Sequence, residues 1–362
     1  MKIRLQQILT ILFIALLVAA LILENAKILQ LEDKIATLNQ QLASISQTVY
    51  AHSDDLEDME ATIEIENKKF IRLRNDDGTT SITCDIEDLS EQYTFYQLRM
   101  TGNAGGFCYA IQKPDGALVM IDSGYEGESA YVRDFILDHG GIVDSWFLTH
   151  PHIDHIGGII NILSHDHYDG IQISNIYYNP FTSDYFEKEE EGKDLTFVNY
   201  AVMYQEFNEV MERCTDIKFI PVTKKDQIVI DQLKIDCLSS FDPTVFDTNA
   251  NSLVLHLDIC GVTFLITADI TDQTLTRMRE TYGDTNSYFN VDFLQIPHHG
   301  YVAGISNDVL FQLTMPSYTL LDCSSEEYNT NAVNILTLTE WVEKLEIPVL
   351  KRFEGPNTIT IK

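Results

Sequence analysis

A mixed α+β fold is what this sequence predicts, and three observations carry it. Short apolar runs bounded by turn residues recur from about residue 93 onward, as at 105–111 and 117–121 on either side of Lys113-Pro114-Asp115-Gly116. Between such runs lie segments with helical spacing, such as Val132, Phe135 and Ile136, which stop at Gly140-Gly141. The third observation is a buried-strand pattern, Trp146-Phe147-Leu148, that leads directly into Thr149-His150-Pro151-His152-Ile153-Asp154-His155-Ile156-Gly157-Gly158.

Length and composition bound the class. A chain of 362 residues has room for one large domain or two ordinary ones. With 45% hydrophobic and 22% charged residues it is neither collagen-like nor disordered in bias. Its 55 acidic residues against 24 basic ones give a net charge of −31. Such a surface repels a phosphate backbone and argues against broad nucleic-acid binding, while leaving room for a small pocket where metals supply positive charge. Cys84, Cys108, Cys214, Cys237, Cys260 and Cys323 are scattered, without a Cys-x-x-Cys, and several sit in apolar runs. Buried thiols are the expectation, and spacing alone pairs no disulfide.

Residues 1–25 read as a signal anchor: Lys2 and Arg4 precede an uncharged run from 8 to 23 that Leu5 and the flanking glutamines extend towards the ~20 residues of a bilayer span. The basic end would stay in the cytoplasm and place the rest outside. Cleavage at Val18-Ala19-Ala20 would instead release a secreted protein. Residues 26–67 read as a coiled-coil stalk and acidic linker, because Ile28, Leu31, Ile35, Leu38, Leu42, Ile45 and Val49 recur in steps of three and four. The stalk implies a homodimer; one amphipathic helix packed on its own domain is the other reading. Residues 68–94, with Asn75-Asp76-Asp77-Gly78 as a hairpin turn, read as a short β preface.

The chemistry lies in the histidine-rich stretch. His150, His152, Asp154 and His155 offer imidazole nitrogens and a carboxylate within six positions, a ligand set suited to zinc and its borderline neighbours. A polar surface turn that happens to collect histidines is the bland reading, and the density of donors after a strand disfavours it. His165, Asp166 and His167 form a weaker cluster that a helix-to-strand loop explains as well. Glu187 to Glu191 reads as a solvated loop, 197–211 as a packed helix and His256 as a satisfied core histidine.

His-x-His-x-Asp-His after a strand resembles the signature of the metallo-β-lactamase fold. The resemblance covers about 95–362, with Asp122-Ser123-Gly124, Asn251-Ser252-Leu253-Val254-Leu255, Ala268-Asp269-Ile270 and Pro297-His298-His299-Gly300 as further matches. It implies a four-layer αββα sandwich with two divalent metal ions, zinc by default and manganese as alternative. The implied metal ligands are His150, His152, Asp154, His155, Asp269 as the bridging carboxylate, and His299. Asp154 and His298 would be the catalytic groups, His298 at the phosphate. Asp122 and Asn251 would support the centre. Residues 249–255 and 263–270 look like the corresponding domain of ComEC-type DNA-uptake proteins.

Two departures stand out. The place of a further histidine before Asp269 holds Asn249, Asn251 and Ser252, and the family's later Tyr-Gly-His-Pro element is Tyr328-Asn329-Thr330-Asn331 here. Tyr301 also stands where a serine is usual. The expected function is a membrane-anchored, extracytoplasmic hydrolase that cleaves phosphodiesters through metal-activated hydroxide. Its substrate would be a cell-envelope polymer or extracellular nucleic acid, and the charge of −31 favours the former. The alternative is a catalytically weak or inactive binding or scaffold domain tethered by the coiled coil.

Overall fold

The structure, a computed structural model, describes residues 61–65, 68–86, 89–100, 106–189, 200–301, 307–330, 342 and 345–362. They belong to one compact unit, Glu60–Lys362. The expected anchor and coiled coil lie outside the described residues. Among the described residues no helix is long and apolar enough to cross a membrane.

Among the described residues, seventeen strands form two sheets. The first contains β1 (Ala61–Ile65), β2 (Lys68–Arg74), β3 (Thr80–Ile86), β4 (Tyr93–Gln97), β5 (Tyr109–Gln112), β6 (Leu118–Ile121), β7 (Ile142–Leu148), β8 (Gln172–Tyr178) and β9 (Lys218–Pro221). The second contains β10 (Gln227–Ile230), β11 (Leu233–Ser239), β12 (Val254–Ile259), β13 (Val262–Ile266), β14 (Phe293–Gln295), β15 (Tyr318–Leu321) and β16 (Val349–Lys351). The last strand, β17 (Asn357–Ile361), returns to the first sheet between β3, to which it is parallel, and β4, to which it is antiparallel. The hairpin of β2 and β3, turned at Gly78 with φ 86°, is thereby built into the main sheet, and part of the expected linker is strand β1.

Side-chain alternation sorts the layers. On β7, Phe147 faces the second sheet, whereas Trp146 and Leu148 face outward into a separate apolar cluster. Between the sheets a row of rings runs from Phe95 to Phe264 (4.5 Å), Phe293 (4.6 Å) and Tyr318 (5.2 Å). Each such fully buried ring stabilises the fold by roughly 1.5–3 kcal/mol relative to exposure. Helices α1 (Ser129–Asp138), α2 (Ile153–Ser164), α3 (Ser183–Glu189) and α4 (Tyr200–Arg213) cover the outer face of the first sheet. Helices α5 (Asp272–Tyr282) and α6 (Asn307–Thr314) cover that of the second, and α7 (Ser325–Thr330) follows β15. The result is the mixed α/β sandwich that the resemblance implies.

Several local expectations are met and some are corrected. The helix expected at 197–211 is α4, whose Tyr204, Phe207 and Val210 are buried. The charge run expected as a loop begins inside α3. Cysteines are free thiols, all buried except the half-buried Cys260. His256 is buried on β12, yet neither ring nitrogen has a hydrogen-bond partner, so it is a core histidine that is not satisfied.

Candidate metal centre

Parallel strands from both sheets deliver the site. β7 is parallel to β6 and β8, and β13 to β14 and β15; the loops that leave β6, β7, β13 and β14 carry Asp122, the 149–155 stretch, Asp269 and His298-His299 respectively. The 149 loop is tied across the sheets by the Leu253 amide, which donates to Thr149 O (3.0 Å). Helix α2 then starts at once, with His152 as its extended N-cap residue and Asp154 in its first turn. Its Gly157 and Gly158 permit close packing: a Cβ on Gly157 would lie 2.8 Å from Glu126 N, and one on Gly158 would collide with Ser123 O. These glycines therefore seat the helix on the loop after Asp122.

Two groups of donors face each other there. Asp154, His155, Asp269 and His299 place one ligand atom each within 4.8 Å of one another, and so do His150, His152 and Asp269. Asp269 belongs to both groups. Within them His155 Nε2 lies 3.3 Å from Asp269 Oδ1, His150 Nε2 lies 3.6 Å from Asp269 Oδ2, and His299 Nε2 lies 3.0 Å from Asp154 Oδ2. The Nε2 atoms of His150, His152, His155 and His299, and Oδ1 of Asp269, are buried and make no hydrogen bond. Five converging polar atoms without a hydrogen bond are costly unless a ligand satisfies them. Imidazole and carboxylate are the donors that zinc and manganese accept, so the residues fit a pair of divalent ions.

The opposite ring nitrogens are held. His155 Nδ1 meets Asp122 Oδ2 (2.7 Å), and the same carboxylate accepts from Thr149 N (2.8 Å) and Thr149 Oγ1 (2.6 Å). His150 Nδ1 faces Thr149 Oγ1 (3.1 Å), and His299 Nδ1 faces Asp322 O (3.3 Å). The ring of His152 stacks on Tyr200 at 4.1 Å. Such partners fix the ring and leave Nε2 free for a metal. Asp122 supports the centre from outside both donor groups.

Electrostatics divide the histidines. Burial, with His155 and His152 adding to it, lowers the His150 imidazole well below its ordinary value. Burial also lowers His152, to about 4. Burial acts in the same direction on His155 and His299, but Asp269 and Asp154 outweigh it, raising His155 well above the ordinary value and His299 to about 10. Asp269, although burial disfavours its charge, is held well below the usual carboxylate range by His155, His299 and His298. The two carboxylates thus favour the charged form of the two histidines nearest them.

His298 differs from its neighbour. It lies outside both donor groups, is partly exposed, and places Nε2 3.4 Å from Asn249 Nδ2 and 3.9 Å from Asp269 Oδ2. Both His298 (φ 51°) and His299 (φ 55°) sit in the left-handed region, an uncommon conformation that splays the two rings apart. Asn251 belongs to neither donor group. It braces the adjoining loop, donating to Val245 O (2.7 Å) and accepting from Asp242 N (2.9 Å). His165, Asp166 and His167 are exposed and belong to neither group.

Sequence reasoning missed Asn179, at the end of β8. Its amide donates to Thr149 O (2.9 Å) and Asn251 O (2.6 Å) and accepts from Phe241 N (2.8 Å), joining three loops around the centre. It missed Asn249 as the partner of His298, and the Tyr301 hydroxyl, which donates to Glu327.

A family model described as the metallo-beta-lactamase superfamily matches residues 101–320, more than half of the chain. The chain belongs to this superfamily. Over 59 residues it is 37% identical to a hydroxyacylglutathione hydrolase of Salmonella arizonae, a match covering 16% of this chain and 22% of that relative. The chain thus matches about a fifth of that protein's length. Among solved structures it is similar to YhfI, a metallo-beta-lactamase fold protein of Bacillus subtilis, at 14% identity over 72% of this chain and 95% of that one, with a TM-score of 0.42. It is also similar to a diphosphatase of the PhnP family, at 13% identity over 63% of this chain and 85% of that one, with a TM-score of 0.38.

Proposed function

We propose that this chain is a two-metal hydrolase of the superfamily that cleaves phosphodiester bonds. The observation that carries the hydrolase reading is the convergence of His150, His152, His155, His299 and Asp269 with inward atoms that make no hydrogen bond. His150 and His152 would hold one ion and Asp154, His155 and His299 the other, with Asp269 shared. Bound divalent ions would supply Lewis acidity and lower the pKa of water, zinc being the default and manganese the alternative. Asp154, whose side chain keeps 16% exposure, would accept the proton of the attacking water. His298, held beside Asn249 and outside the donor groups, would hydrogen-bond a phosphoryl oxygen or protonate the leaving oxygen.

Support for a phosphodiester comes from the His-His-Gly element and the ComEC-type pattern around Asn251 and Asp269. Residues 1–25 and 26–67 support an extracytoplasmic enzyme anchored or secreted through the first segment and dimerised through the second. The excess of acidic residues supports an envelope polymer over nucleic acid as its substrate. One observation favours the alternative of a weakly active binding domain: α7, where the family's later histidine is expected, supplies Glu327 to Tyr301 instead.

The test is hydrolysis of bis(p-nitrophenyl) phosphate by the zinc- or manganese-loaded full-length chain, beside a lactone and a thioester. Phosphodiester turnover that vanishes in Asp269→Ala and His299→Ala is expected. Turnover of the lactone or thioester alone would overturn the phosphodiester assignment. Bound metal without any turnover would favour the binding domain.

A further inference from the structure

Behind His299 lies a buried carboxylate that the chemistry above does not use. Asp322 follows β15 and is fully buried. Its carboxylate accepts from Tyr109 Oη (2.5 Å) and Gln97 Nε2 (3.0 Å), while its own carbonyl faces His299 Nδ1 (3.3 Å). Gln97 is itself clamped, donating to Leu321 O (3.1 Å) and accepting from Asn357 Nδ2 (2.8 Å). Asn357 opens β17 and accepts from Thr80 N (3.0 Å). Beside this chain the buried Arg352 donates to Cys323 O (3.3 Å) and Gly106 O (2.9 Å). A polar layer thus runs from the first sheet, through the last strand, to one histidine of the centre.

The same layer reaches a second donor of the same group. The Tyr109 ring packs edge-on against Phe107 (4.9 Å), which stacks on His155 (4.9 Å). Phe107 N also donates to Asp154 O (3.0 Å). His150 and His152 do not touch this layer: His150 packs on His152 (4.4 Å) and His155 (4.1 Å) and faces Thr149 Oγ1, and His152 stacks on Tyr200. The layer therefore touches donors of one ion position directly and reaches the other only through His155 and the shared Asp269.

We propose that Asp322 is a positioning residue for one ion only, the one that Asp154, His155, Asp269 and His299 would hold. The proposal rests on the two-metal reading of the centre. Asp322 keeps the 321–323 peptide in place so that its carbonyl fixes the His299 ring with Nε2 towards Asp154 and Asp269. Tyr109 extends that hold through Phe107 to His155. A charge-bearing hydrogen-bonded layer tunes geometry in this way because each member is satisfied only in one arrangement.

The experiment titrates cobalt(II) into the metal-free full-length wild type, Asp322→Asn and Tyr109→Phe, read by competition with a chelating dye and by the visible cobalt spectrum. His299→Ala and His152→Ala give the reference spectra for losing either position. Expected in both test variants is a roughly tenfold to hundredfold weaker affinity at the His299 position, with the other position within threefold of wild type. At one equivalent their spectra should match that of His299→Ala. Tyr109→Phe guards against misfolding of the Asp322 variant, since it keeps the ring. Equal weakening at both positions, or no weakening at either, overturns the proposal. A wild type that binds no cobalt overturns the two-metal reading itself and this proposal with it.

Discussion

Asp122 Oδ2 reaches His155 Nδ1 at 2.7 Å while the far nitrogen of the same ring stands 3.3 Å from Asp269 Oδ1. One buried carboxylate therefore aims a histidine at another carboxylate and ties both to the Thr149 backbone through a second oxygen. Replacing Asp122 with Asn should lower divalent-metal affinity by about 10- to 100-fold, the usual cost of losing a partner behind a ligating imidazole. Dye competition measures it, and unchanged affinity would contradict the orienting role.

Metal uptake should release protons. His155 and His299 are both raised, His299 to about 10, because Asp269 and Asp154 outweigh the burial that would lower them. At pH 7 His299 carries a proton that an incoming ion must displace, and the raised His155 adds to the release, so uptake should free at least about one proton. Affinity then rises with pH until about 10, because higher pH removes the competing proton. Calorimetry in buffers of different ionisation enthalpy counts the protons. Uptake without release would show that these histidines are neutral in the metal-free state.

Gly158→Ala should destabilise the fold by about 1–3 kcal/mol, the range for forcing a methyl into a packed contact. Its Cβ would meet Ser123 O and, at 3.1 Å, Ser123 Cβ. Denaturant unfolding gives the difference, and wild-type stability would mean that α2 can lift from the Asp122 loop at no cost.

His298 and His299 should separate in function although they are adjacent. His299→Ala should lose one ion together with turnover. His298→Ala should keep both ions and lose about 100- to 10,000-fold in turnover, the range for removing a proton-transfer group. Metal content and rates on the same preparations decide it; loss of metal in His298→Ala would reverse the two roles.

How far the sequence shows this site depends on how local each part is. His150, His152, Asp154 and His155 are legible because a strand end and a helix start confine them to one turn of chain. Asp269 and His299 are legible because each follows an apolar strand in a pattern the family shares. Asn179, Asp322 and Arg352 are not legible: each is a single residue whose partners lie far away in the chain, Gly106 being 246 residues from Arg352. Strand β1 was hidden for another reason. Ala-Thr-Ile-Glu-Ile is short and its residues sit within an acidic stretch, so only pairing with β2 reveals it. The glycines of α2 were visible, but their role in seating the helix depends on Ser123 and Glu126, which precede them by more than thirty residues.

Metal content of the full-length wild type beside Asp269→Ala is the most direct test of the central claim. Asp269 is the one residue common to both donor groups. The account predicts about two divalent ions per chain in the wild type and less than one in Asp269→Ala, with the variant still folded by circular dichroism. A wild type that takes up no ion, or an Asp269→Ala chain that keeps both, would contradict it.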